Sequence, residues 1–201
     1  MEEKKDIEQG EKAVEKREID WKGFKEFLDE FKKESDRAAV ILGVAKLDLL
    51  LYQLLVKVFL SNVGSTDDLF DGDAPLSTFH AKIHMAYRLG LIDSDFARSL
   101  HLTRRIRNSF AHEVTGCTLD SGPHRERVRE LKNPLEGYNV FKEMEKLFFN
   151  GKSGYAIDFR KVLALMEIRL EYAMQYAEPL ESSKATSLIP GQWRRTESAK
   201  E

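Results

Sequence analysis

The stretch from Ser35 to about Leu60 constrains the fold more than any other, because a helix drawn through it carries apolar residues nearly all round. Ser35 or Asp36 can cap its start. Ala38, Ala39, Ile41, Leu42, Ala45, Leu49, Tyr52, Leu55, Val56 and Phe59 are the expected buried positions. Such a helix can cross a membrane, sit at the centre of a bundle, or bury one side against a second molecule. Lys46, Asp48, Gln53 and Lys57 argue against the first, since a charge at the bilayer centre costs roughly 2.5–3.5 kcal/mol on insertion scales. The remaining expectation is a central bundle helix with apolar surface to spare, no membrane, and association into a homodimer or larger closed oligomer.

The other periodic segments supply what surrounds it. Asp20 is placed to cap a helix in which Trp21, Phe24, Phe27, Leu28 and Phe31 recur at three- and four-residue steps. After Pro75 a helix from about Leu76 to Leu89 is expected to pack Phe79, Ile83, Ala86 and Tyr87 and to end at Gly90. Ser94 then caps a helix running to about Glu113, and Pro123 opens a short helix between two loops. Phe141, Met144, Leu147 and Phe148 define another that stops at Asn150 and Gly151. A final one begins near Asp158, uses Phe159, Val162, Leu163, Met166 and Leu170, and ends before Pro179. No segment alternates with period two over a strand length, no glycine-rich phosphate loop is present, and no solenoid repeat is visible. The class is all-α. Residues 1–18, with only Ile7, Ala13 and Val14 as apolar members, are expected to form a flexible charged tail, 19–178 a single helical domain, and 179–201 a second flexible tail.

Charge and cysteine content narrow the functional classes. The 32 Lys and Arg against 34 Asp and Glu leave a net charge of −2, so any nucleic-acid binding must rest on a local patch. One cysteine, Cys117, rules out an internal disulfide and a cysteine-based zinc site. The N-terminal segment has no apolar signal-peptide core, and a cytoplasmic location is expected. The acids Asp67, Asp68, Asp71 and Asp73 do not fit a calcium loop, because Leu69 and Thr78 fall where oxygen ligands and a bidentate Glu are required. His80 and His84 are an i, i+4 pair able to grip one metal ion, but no third ligand follows at a recognised spacing, and no metal or cofactor is expected.

The segment Asp95 to Glu113 joins a core pattern to a chemically capable set. Phe96, Leu102, Ile106, Phe110 and Val114 fall on one arc of the wheel. The other side carries His101, Arg104, Arg105, Arg107, Asn108 and His112. Arg is a permanent cation suited to phosphate, His titrates near neutral pH, and Asn can orient either. Arg125, Arg127 and Arg129 follow soon after, and would add to the same patch if their short helix folded back. The plain alternative is a solvated charged face opposite an apolar stripe.

Arg107-Asn108-Ser109-Phe110-Ala111-His112 resembles the R-x4-H motif of the HEPN superfamily of helical bundles. The order LFDGDAPLSTFHAKI (69–83), AYRLGLI (86–92) and RNSFAH resembles, more specifically, the mannitol operon repressor (MltR) family. The resemblance covers well under half of the chain. It implies an HEPN-like bundle with the R-x4-H helix near a two-fold axis, and a regulator of gene expression that acts on RNA or DNA directly or through a protein partner. The alternative it carries is a metal-independent endoribonuclease. In that case His112 would serve as general acid or base, Arg107 would stabilise phosphate charge and Asn108 would position them, while Arg104, Arg105, Arg107, Arg125, Arg127 and Arg129 would contact nucleic acid or a partner.

Overall fold

The described residues form seven helices, α1 (Trp21–Phe31), α2 (Asp36–Val58), α3 (Phe79–Arg88), α4 (Ser94–His112), α5 (Gly122–Lys132), α6 (Asn139–Phe149) and α7 (Tyr155–Tyr176), with one 3-10 turn at Asn133–Leu135. They come from a computed structural model that describes residues 21–62, 69–113 and 116–181. No strand occurs among the described residues, so the fold is all-α. Both expected tails fall mostly outside them, as do Asp20, Asp67, Asp68 and Val114.

The local starts and stops differ from expectation by one to three residues, each for a visible reason. Ser35 caps α2 by accepting the Ala38 amide. α3 begins at Phe79 rather than Leu76, because residues 69–77 form turns, with the Leu76 amide donating to Leu69, and Thr78 is the cap. Asp93, not Ser94, caps α4, its carboxylate accepting the Phe96 amide at 2.8 Å. α7 starts at Tyr155, earlier than Asp158.

α2 is the central helix, packed against α7, α4, α3 and α1. Its rotation differs from the expected one. Val40, Val44, Leu47, Leu50, Leu51, Leu54 and Leu55 are buried, whereas Leu42, Ala45, Leu49 and Val56, expected inside, face outward. An apolar sequence on every side leaves the phase of a helix open, and its neighbours set it. At Gly43 an added Cβ would run into Leu163 of α7 and lie 3.0 Å from Phe31 of α1, so this glycine faces the seam where the three helices meet most closely. Two smaller revisions have the same origin: Tyr87 of α3 and Leu147 of α6, both expected to pack, are exposed.

The charges that interrupt α2 are answered by other helices. Asp48 pairs with Lys82 of α3 at 2.8 Å, Lys46 with Glu167 of α7 at 3.6 Å, and Lys57 donates to the Met174 carbonyl. α2 is the one described helix long and apolar enough to cross a membrane, and half of that stretch is buried inside the bundle. At its N-terminus Asp36 accepts from Arg160 of α7 at 3.2 Å and from the Leu119 amide at 3.0 Å. Arg160 also donates to the Glu34 carbonyl at 2.7 Å. This nearly buried node holds the α4–α5 connection against the core, and removing one member of such a pair costs about 3–5 kcal/mol. Beyond α7 the chain is held once more, by the Leu180 amide donating to Val58 at 2.7 Å.

Candidate functional site

A cleft bounded by α3, α4 and α5 follows from the way α4 returns along α3. Gly90 takes φ +71° to end α3, a conformation that disfavours any residue with a Cβ. The five-residue connection Leu89–Asp93 then leaves the two helices side by side and in contact. Counted from Leu91, His80 lies eleven residues before the turn and His101 ten after it, so the two stand at nearly the same level. His84 is one turn from His80 on the same face. The three rings cluster, with centroids 4.5 Å apart for His80 and His84, 5.1 Å for His80 and His101, and 4.8 Å for His84 and His101.

The histidines line a cleft of about 570 Å³ together with Arg98, Arg104, Arg105 and Glu130. Arg98 donates to Glu130 at 2.6 Å, joining α4 to α5 across it. Arg104 is half-buried, and its Nε is sealed from solvent without a hydrogen-bond partner among the described residues. Burial first, and then His84, His80, Arg104 and Arg105, bring the His101 imidazolium down to about 4; His80 is lowered too, by burial and by His84 and Arg104. At neutral pH the His101 and His80 rings are therefore neutral, each with one nitrogen lone pair to offer.

The R-x4-H residues lie further along α4, outside the lining of this cleft. Arg107 and Asn108 are half-buried and His112 is exposed in the last turn. Among the described residues no hydrogen bond or ion pair holds any of these three side chains. α5 does fold back on this segment, for Arg127 donates to Ser109 Oγ at 3.0 Å. The other two arginines of α5 point elsewhere. Arg125 lies over the Tyr155 ring at 4.9 Å, and Arg129 pairs with Glu126 of its own helix. Of the six arginines singled out in the sequence, Arg104, Arg105, Arg107 and Arg127 thus lie on or against α4.

A second polar group sits where α4 ends. His124 is buried under Phe110, ring centroids 4.7 Å apart, and its Nε2 lies 3.2 Å from Glu113 Oε1 and 3.4 Å from Cys117 Sγ. Arg37 donates to the Phe110 and Glu113 carbonyls from below. Burial, then the Glu113 carboxylate, push the Cys117 thiol up to about 11. A nucleophilic cysteine needs the opposite shift, so the Cys–His–Glu arrangement is not an activated thiol.

Neither cluster was assembled from sequence spacing. His101 was assigned to the polar face of its helix and His80 with His84 to another, and only the register of the turn joins them. Counting outward from Gly90 is the signal that finds the trio. Nothing comparable marks Glu113, Cys117 and His124, which meet through an irregular connection. Compared with protein-family profiles, with curated proteins and with solved structures, the chain matches none.

Proposed function

We propose that this chain is a noncatalytic, dimeric, cytoplasmic regulator of the mannitol operon repressor kind, built as an HEPN-like bundle, which uses the polar face of α4 to meet nucleic acid, directly or through a partner. One observation carries the reading. Arg104, Arg105, Arg107 and Arg127 gather on or against α4, and among the described residues none forms an ion pair with a carboxylate, Glu113 acting on Arg127 only at longer range. Guanidinium groups outside ion pairs, in a protein of net charge −2, suit a local anion-binding surface. Binding is favoured over cleavage because His112 is exposed with no group to fix its ring, and a general base must be oriented toward the proton it takes. Dimerisation is supported by Leu42, Leu49 and Val56, exposed one heptad apart on α2 and continued by Leu60.

The test is fluorescence anisotropy with labelled single-stranded RNA and duplex DNA in the presence of a chelator. Arg104→Ala and Arg107→Ala are each expected to weaken binding by roughly 3–10-fold and to lower the salt slope by about 1. Strand cleavage in chelator, lost in Arg107→Ala and His112→Ala, would instead establish the ribonuclease alternative with Arg107, Asn108 and His112 as its residues. Wild-type binding indistinguishable from that of the arginine variants overturns the reading.

A further inference from the structure

We propose that His80, His84 and His101 form a site for one late first-row divalent ion of the zinc class, with three imidazole ligands and an open fourth position facing the arginine side of the cleft. The proposal departs from the sequence expectation of no metal, and it stands whether or not α4 meets nucleic acid.

Geometry comes first. One ring nitrogen from each histidine can be chosen so that all three lie within 4.8 Å of one another. An ion about 2.0–2.1 Å from each nitrogen would hold tetrahedral ligands about 3.3 Å apart, so closure asks for ring rotations and not backbone movement. His80 and His84 are exposed at their helix surface and free to make them. His101, half-buried on the facing helix, supplies the fixed member. Imidazole suits zinc, copper, nickel and cobalt, whereas calcium and magnesium take oxygen ligands. Three protein ligands rather than four is the number that leaves a coordination position for water or a ligand.

The surroundings fit an occupied site with an anion beside it. Arg104 lines the same cleft, and its Nε, shut off from water, has no acceptor among the described residues. A buried donor without an acceptor is costly unless a bound group supplies one. Glu130 lines the cleft as well, but its carboxylate is engaged by Arg98, so it is not free to complete the shell without breaking that pair. The other group of potential ligands, Glu113, Cys117 and His124, makes the contrast. There His124 Nε2 is already engaged by Glu113 and Cys117, and the thiol is held protonated.

The experiment uses the untagged full chain, stripped with chelator and dialysed. Titration calorimetry with Zn²⁺ is expected to show one ion per chain with a dissociation constant in the micromolar range or below. His101→Ala and His80→Ala should each weaken binding at least 10-fold, with helical circular dichroism unchanged in the exposed His80 variant. Titration with Co²⁺ should give visible bands of a nitrogen-ligated ion and no sulfur-to-metal charge transfer, and Cys117→Ser should leave both titrations as they are. Absence of stoichiometric binding overturns the site. So does equal binding by wild type and His80→Ala, which marks scattered surface histidines, and so does a charge-transfer band lost in Cys117→Ser, which moves the ion to the second cluster.

Discussion

Two clusters of side chains able to ligate a metal, one between α3 and α4 and the other just beyond the end of α4, differ in what surrounds them. Glu113, Cys117 and His124 close on one another beneath Phe110, with His124 only 6 % exposed. The His80, His84 and His101 rings cluster together and open onto a cleft. Residue type is therefore a poor guide to role. Burial and access separate the cluster packed beneath Phe110 from the one that opens onto a cleft.

Stability measurements should separate them most widely. His124→Ala removes a buried ring and strands its neighbours, and is expected to cost about 2–4 kcal/mol in urea unfolding, while His80→Ala at its exposed position stays within about 0.5 kcal/mol. Equal costs would erase the distinction. A chemical probe comes next. With the thiol at about 11 instead of its ordinary 9.0, Cys117 should be alkylated at pH 8 about 100-fold more slowly than an unshifted thiol, and Glu113→Gln should recover roughly 10-fold of that rate. A fast wild-type reaction would show the closed cluster to be open.

The pH dependence of the metal-free protein gives a smaller effect with a defined sign. His101 titrates at about 4 in the folded chain and near 6.5 when unfolded. Between those values the unfolded state binds the extra proton, so stability falls as pH drops through that window, by about 1 kcal/mol once partial exposure is allowed for. Glu167 behaves oppositely. Burial raises it from 4.5 to about 7, over the pull of Lys46, so the folded state holds the extra proton and stability is lost as pH rises across that range. Thermal melts from pH 4 to 8 should flatten on the acid side in His101→Gln and on the neutral side in Glu167→Gln. The smallest effect belongs to exposed Arg105: Arg105→Ala should leave unfolding within about 0.5 kcal/mol and lower only anion affinity.

Helix identity was legible because its cues are local: Ser35 before an apolar run, Pro123 at a helix start, Asn150 and Gly151 at a stop. The rotation of α2 was not, since Leu42 and Leu50 are equally apolar and only contact with α7, α4 and α3 chooses between them. The polar face of α4 was visible in full, including His101, Arg104 and Arg107. What each of its residues faces depended on α3 and α5. His101 meets the histidine pair of the neighbouring helix, and Arg125, counted with Arg127, turns to Tyr155 instead.

Lys82 stands between His80 and His84 in the chain, yet it is nearly buried and points the other way, to Asp48 and the Tyr52 ring. Asp48 in turn immediately precedes Leu49 of the exposed stripe. One ion pair thus ties the helix that carries His80 and His84 to the helix that exposes Leu42, Leu49 and Val56. Were two copies to associate through α2, whatever factor occupancy of the cleft lent to that association would be returned to occupancy of the cleft. Lys82→Met, which leaves the part-buried Asp48 carboxylate without its partner, is expected to cost stability and to loosen the contact between α3 and α2.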